Sequence, residues 1–293
     1  MNDIRLNPVE KLISINLKQI DKGNWQKESI SAFSLKQTYI NSRECPHCGS
    51  HNVVSKGNYK ARKRYQCRDC TKSYNDLTKT PFSGIHDLDK IKKYLNCLIS
   101  GDSIRKAAAA VEVSVTTSFS WRHKLLNGLS RLPSPNMKNV REILELEIPY
   151  SHKGQRSRLS SSQRRSKVSA VFVCDRTGKL DSDSITYSLR AKNPIFNRIN
   201  EISNEHTDII CSPKLANIII PLKINIKTTH SSYTSPNIIT QTVAVWQVWM
   251  QRFHGVATKY LANYLHWFDY LDNTHFNQDD ISAFVKLQLN HRA

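Results

Sequence analysis

No apolar run in this sequence reaches the roughly 18 residues that a membrane-spanning helix needs. The first residues, MNDIRLNPVEKLISINLKQI, carry acids early and lack an apolar core of signal-peptide length. These absences predict a cytoplasmic protein. Acids are scarce too: 24 Asp and Glu stand against 43 Lys and Arg, a formal charge of +19. That excess points to a polyanionic partner, either DNA, RNA or an anionic membrane surface. The membrane option lacks its usual mark, a long basic amphipathic helix with a continuous apolar face. No internal repeat is present. In a reducing compartment the seven cysteines are metal ligands or core residues rather than disulfides.

The stretch CPHCGSHNVVSKGNYKARKRYQCRDC holds two C-x2-C pairs, Cys45 with Cys48 and Cys67 with Cys70, separated by 18 residues. Each pair can present two thiolates from a tight turn, and four thiolates complete a tetrahedron. Zn2+ suits such a set, because it takes sulfur readily and imposes no geometry of its own. The spacing is that of a zinc ribbon. His47 and His51 compete as ligands only if a cysteine is missing. A closed four-sulfur set leaves no open position, so it predicts a structural metal. A module this small has too little core to fold alone, and the metal supplies the folding energy. Between the pairs lie Lys56, Lys60, Arg62, Lys63 and Arg64, with Tyr59 and Tyr65 interleaved. That mixture suits phosphate contacts and base stacking; it also suits a merely solvated charged hairpin.

Three helical stretches follow. Leu88, Ile91, Tyr94, Leu95 and Leu98 recur at helical spacing. Gly101 ends that helix, Ser103 can cap a second over Arg105 to Val111, and Ser114 can cap a third over Val115 to Leu126. Helix, short turn, helix is helix-turn-helix geometry. The third stretch would then offer Thr116, Thr117, Ser120, Arg122, His123 and Lys124 to DNA. Pro133 and Pro135 mark a linker. Beyond it, EILELEIPY alternates like a strand, KVSAVFVC reads as a buried strand, DRTG as a tight turn, and KLDSDSITYSL as its returning partner. A basic serine-rich loop, with Lys153 and Arg156, separates the first two strands. Residues 192 to 204 suit a helix and TDIICS a short strand. Residues 213 to 240 show no clear period, and helix resumes from Trp246. Trp246, Trp249, Phe253, Val256, Tyr260, Tyr264, Trp267 and Leu271 make one helical face, which reads as core. Arg252, His254 and Lys259 fall off it. Cys97, Cys174 and Cys211 read as buried thiols, and Asp175 and Gly178 as turn residues.

CPHCGS, RYQCRDC, TPFSG, ISGDSIRKAAAAVEVSVTTSFSWRHKLL and WMQRFHGVATKYLANYLHWF together resemble a bacterial insertion-sequence transposase. The type is one with an N-terminal zinc ribbon, a helix-turn-helix and a DDE-type catalytic domain. The resemblance covers residues 43 to 270. It implies a mixed α/β chain: a helical leader over 1–40, a zinc ribbon over 41–80, a helix-turn-helix over 86–130, an RNase H-like mixed sheet with flanking helices over 140–275, and a C-terminal helix over 276–293. It also implies DNA as partner, element ends and target alike, a homo-oligomer on that DNA, and a nucleoid-associated location. Its chemistry is phosphoryl transfer at two Mg2+ or Mn2+ ions held by carboxylates.

The sequence departs from that family at the carboxylates. The family places an Asp-Glu pair on the strand before Ser-x-Lys-Gly. Ser151, His152, Lys153 and Gly154 match the tail, but the strand reads LELEIPY, which leaves Glu145 or Glu147 as stand-ins. The second acid belongs to Cys-Ser-Asp-Gly, and here the residues are Cys211, Ser212, Pro213 and Lys214. Asp208 lies too early to replace it. The third position, in an Asn-x-x-His-x-x-basic stretch, has no match in PNIITQTVAVWQVWM. Three readings follow: an insertion-sequence transposase, with its strand chemistry intact or impaired, a non-catalytic DNA-binding remnant or repressor, and a zinc-ribbon RNA-binding protein. The last expects stacking aromatics on an exposed sheet.

Overall fold

The computed structural model describes residues 44–59, 62–129, 134–147, 167–187, 194–228 and 238–274. The expected leader, the serine-rich loop with Lys153 and Arg156, and the expected C-terminal helix lie outside the described residues. The chain is mixed α/β, with two sheets and seven α-helices among the described residues. None of these helices is long and apolar enough to cross a membrane. Two compact units form, the first within residues 23–100 and 104–132, the second mainly within 133–276.

The first unit opens with an antiparallel sheet of β1 (Val53–Tyr59), β2 (Arg62–Cys67) and β3 (Ser73–Asn75), in that order. Cys45, Cys67 and Tyr74 form its small core, and the Tyr65 ring stacks on Tyr74 at 5.5 Å. Helix α1 (Leu88–Ile99) begins where the Asp87 carboxylate accepts the N–H groups of Asp89 and Lys90. It ends at Ser100, before Gly101 at φ +67°. Helix α2 (Ile104–Val111) is followed by a three-residue turn, in which Glu112 takes a left-handed φ of 57°. Ser114 then caps α3 (Val115–Leu129), its hydroxyl accepting the Thr117 N–H at 3.0 Å. Ile91, Tyr94, Leu95, Leu98, Ala107, Ala108, Leu125 and Leu126 are all buried. Each large one is worth about 1.5–3 kcal/mol of burial. The Tyr94 hydroxyl donates to the Ser118 carbonyl at 2.7 Å, and its ring meets Trp121 edge-on.

The second unit is built on a five-stranded sheet: β4 (Val140–Glu147), β5 (Lys167–Asp175), β6 (Leu180–Tyr187), β7 (Asp208–Cys211) and β8 (Asn225–Thr228). The spatial order is β6-β5-β4-β7-β8. β4, β5 and β6 are antiparallel neighbours, and β7 and β8 run parallel to β4. Side chains alternate across a strand. Ile143, Val171, Val173, Ile185, Ile209 and Cys211 therefore share one face, packed with Ile195 and Ile199 of α4 (Pro194–Ile202) and Leu215, Ala216 and Ile219 of α5 (Pro213–Ile219). On the opposite face Phe172 meets Trp246 of α6 (Ile238–Gln251) at 5.1 Å. Ser182 there donates to Asp269 of α7 (Leu261–Thr274).

The expected strands, the β5–β6 hairpin and the three buried thiols are found where the pattern places them. Three expectations are corrected. Residues 213 to 228 are regular, not patternless: Ser212 caps α5 with Pro213 at its first turn, and β8 pairs with β7. Helix α6 begins eight residues before Trp246. Its start is held from outside, by the Glu142 carboxylate accepting the Ile239 N–H at 3.2 Å. The aromatic face is shared by two helices, because His254 (φ 49°) and Gly255 (φ 106°) break the chain between α6 and α7. Trp249 then packs on Phe253, Trp267 and Phe268 at 4.8–5.5 Å, which is core as expected.

Candidate metal centre and nucleic-acid interface

Two tight turns bring the four cysteines together. Gly49, at φ +76°, returns its N–H to the Cys45 carbonyl and closes the first turn. The second is closed by the Cys67 N–H on the Lys72 carbonyl, with Thr71 at φ 60°. Pairing of Val53 with Cys67 fixes one turn against the other. Asp69 joins them as well, accepting from the Ser50 hydroxyl at 2.5 Å and the Asn52 amide at 2.9 Å. Those two donors hold its carboxyl below the usual range.

The Sγ atoms of Cys45 and Cys70 are 3.6 Å apart, as are those of Cys48 and Cys67, and all four lie within 4.8 Å of one another. Four sulfurs at about 2.3 Å from one zinc stand about 3.8 Å apart, so the cage fits a tetrahedral Zn2+. Backbone N–H groups aim at the sulfurs. His47 donates to Cys45 Sγ at 3.4 Å. The Cys70 and Asp69 N–H groups bring the Cys67 thiol down to about 7. The Ser50 N–H favours the Cys48 thiolate, but desolvation and the three neighbouring sulfurs outweigh it and push Cys48 up to about 12. Four thiols this close ionise together only around a cation. Bound there, zinc would cross-link the two turns and offer no open position.

The candidate DNA-contacting residues divide. Lys63 is exposed and Arg64 half-buried on β2. Of Arg62 only the backbone, paired with Tyr59, is described. Thr116 is exposed on α3. Thr117 is half-buried and its hydroxyl meets that of Ser114 at 2.8 Å, so it belongs to the helix cap. His123 is half-buried, edge-on to Phe119 at 4.3 Å. Lys124 is exposed and donates to the Ser83 carbonyl at 2.9 Å.

Arg122 is corrected outright: its exposure is 0%. It belongs to the buried stripe Ser118, Trp121, Arg122, Leu125, Leu126, Leu129, and its guanidinium lies 5.9 Å from the Tyr94 ring centroid. Sequence reading missed Arg105 and Lys106, both exposed at the start of α2. It also missed Val115 and Phe119, exposed on α3. Their signal was the complement of the buried stripe.

The carboxylates do not converge. Glu145 shares its face with Ile143; its Oε1 accepts the Ser169 hydroxyl at 3.0 Å and its Oε2 lies 3.7 Å from Lys214 Nζ. Of Glu147 only the backbone, paired with Ser169, is described. Glu142, missed from sequence, sits on the opposite face at 4% exposure. It caps α6 and lies 3.7 Å from the Arg176 guanidinium. An acid in register with Leu144 and Leu146 was its signal. At the end of β7 stand Ser212, a helix cap, and Pro213. Asp208 sits at the start of β7 and takes the Asn225 amide at 2.8 Å. Asp175 is a turn residue as expected. Its Oδ1 accepts the N–H groups of Thr177 and Lys179 and the Thr177 hydroxyl, and its Oδ2 takes the Lys138 N–H. Among the described residues, the four cysteines form the one group of three or more His, Cys, Asp and Glu ligand atoms placed to share an ion. The described carboxylates thus do not fit a two-cation centre.

No family model matches this chain. Among curated proteins it is similar to an "Uncharacterized protein in transposable element ISH50" of Halobacterium salinarum (strain ATCC 700922 / JCM 11081 / NRC-1), 30% identical over 115 residues. The match spans 38% of this chain and 38% of that protein.

Proposed function

We propose that this chain is a transposase-related protein of a mobile element, which binds element-end DNA and whose metal-dependent strand chemistry is impaired. The observation that carries the reading is the first unit. A four-thiol cage that fits zinc is followed, in the same compact unit, by two helices joined by a capped three-residue turn. In a chain of formal charge +19 that pairing suits duplex DNA. The similarity to a protein in a transposable element supports the mobile-element origin.

The second unit supports an RNase H-like scaffold. Its middle strand β4 lies between an antiparallel meander and two parallel strands. In the resembling family, carboxylates on the middle strand, on the next inner strand and on a late helix hold the cations. Here the first two of these stretches carry Glu145 beside Lys214, and a Ser-Pro helix start. A lysine ammonium occupies charge space that a divalent cation would need. Without converging carboxylates, neither an attacking nor a leaving oxygen gains metal stabilisation.

A nicking and strand-joining assay tests this directly. The purified protein is given the DNA flanking its own gene, with Mg2+ or Mn2+, and binding is followed in the same tubes. Salt-sensitive binding without cleavage is the expected result. Cleavage at an element end would overturn the impaired-chemistry reading. Absence of binding at moderate salt would overturn the DNA-binding one.

A further inference from the structure

We propose that the N-terminal half of α3 reads thymine methyl groups in the DNA major groove; this rests on the DNA-binding reading above. Four large hydrophobic side chains are exposed among the described residues: Tyr59, Val115, Phe119 and Ile220. Two of the four, Val115 at 50% and Phe119 at 40%, stand one helical turn apart at the start of α3. Thr116 and Ser120 beside them are exposed too. The N-terminal residues of the second helix are those that such a two-helix unit presents to base edges.

The usual polar code is absent from this face. Guanine is read by a forked arginine or by lysine. The one arginine of α3, Arg122, is wholly buried, and its one lysine, Lys124, donates to the Ser83 carbonyl. The helix has no Asn or Gln until Asn127, and no acid to take cytosine's amino group. What remains is two apolar side chains flanked by short hydroxyls, with the half-buried His123 ring edge-on to Phe119. The major-groove feature that an apolar side chain can recognise is the thymine 5-methyl. The exposed Arg105 and Lys106 of α2 supply phosphate contacts, which position the helix without reading sequence. The formal charge of +19 favours this occupant over an apolar protein surface.

Uracil substitution isolates the methyl. The zinc-loaded full chain is titrated, at about 0.2 M salt, with the duplex flanking its own gene. One preparation contains thymine and the other uracil at every thymine position. Thymine duplex is expected to bind tighter, by about fourfold for each methyl buried. Phe119→Ala should lose about one such factor on thymine duplex, and keep the uracil affinity and the salt slope. Phe119→Leu should retain the preference. Equal wild-type binding of both duplexes overturns the methyl readout and leaves DNA binding standing. A Phe119→Ala chain that is folded by circular dichroism but weakened equally on both duplexes also overturns it. No binding of either duplex sinks the DNA-binding reading, and this inference with it.

Discussion

Two sets of candidate metal ligands can be compared within this chain. The thiols come from two tight turns whose backbone geometry is fixed by Gly49, by Thr71 and by a strand register, so four sulfurs meet within 4.8 Å. Two described glutamates, Glu142 and Glu145, come from one strand, and strand alternation sends them to opposite faces. Each then finds its own work, one capping α6 and one beside Ser169 and Lys214. The difference teaches that the thiol cage forms because two turns deliver its ligands to one point. Ligand-type residues on one strand do not suffice.

The comparison breaks most violently at the cysteines. Cys67→Ser, or chelation of zinc, should unfold the first sheet and separate the Tyr65–Tyr74 stack. Structural zinc contributes on the order of 10 kcal/mol to such small modules. DNA affinity should fall more than tenfold, while the thermal transition of the second unit persists. Full DNA affinity in a zinc-free Cys67→Ser protein would show that the cage has no part in binding.

Arg122 sharpens the comparison within the first unit. Arg122→Ala removes a buried side chain from the Tyr94–Trp121 core and should cost about 3 kcal/mol, read by urea unfolding. Lys63→Ala, at an exposed site, should leave stability unchanged and lower the salt slope of DNA binding by about one. The reverse pattern would put Arg122 back on the DNA face.

These residues also mark how far the sequence carries. Cysteine spacing alone reveals the cage, because C-x2-C turns are local and self-contained. Ser114, the alternation of β4 and the apolar run of β5 are local signals too, and all are found. Arg122 is misread because an amphipathic cation can lie in a buried stripe with its charge against an aromatic ring. The start of α6 is misread because its cap is Glu142, 97 residues away in the chain. Helix α5 carried a readable sign, serine before proline, hidden by the apolar run Ile218 to Ile220.

Two buried aspartates of the second unit respond to pH in opposite directions. Burial alone would raise Asp175, but the N–H groups of Lys138, Thr177 and Lys179 and the Thr177 hydroxyl outweigh it and hold its carboxyl below the usual range. The stability it contributes is present above the ordinary carboxylate range and is lost as pH falls through its folded pKa. Asp175→Ala should cost about 2 kcal/mol at pH 7 and reduce the loss in acid. Asp269 is buried, and that burial pushes its carboxyl well above the usual range despite two hydrogen bonds from Ser182. The folded state therefore keeps a proton that the unfolded chain has given up, and stability declines as pH rises from the ordinary range towards the folded pKa. Asp269→Asn should flatten that decline. Urea midpoints between pH 3 and pH 8 check both signs; an unchanged profile in Asp269→Asn would show that this carboxyl does not hold its proton.

The smallest expected effect is the most pointed test of the comparison. Pro213 stands at the end of β7, where the resembling transposases carry an acid, and it begins α5. Pro213→Asp is a mild change for the helix, since an acid in the first turn suits the helix dipole and Ser212 still caps Leu215. It adds one carboxylate next to Lys214 in the chain, yet Lys214 lies 3.7 Å from Glu145 and α6 offers no acid at all over Ile238–Gln251. Two carboxylates beside a lysine do not hold two divalent cations. Nicking activity should therefore stay at background, with binding unchanged. Recovered cleavage in Pro213→Asp alone would show that the remaining ligand comes from residues other than those on β4 and α6. The contrast between the assembled thiols and the scattered carboxylates would then narrow to a single lost side chain.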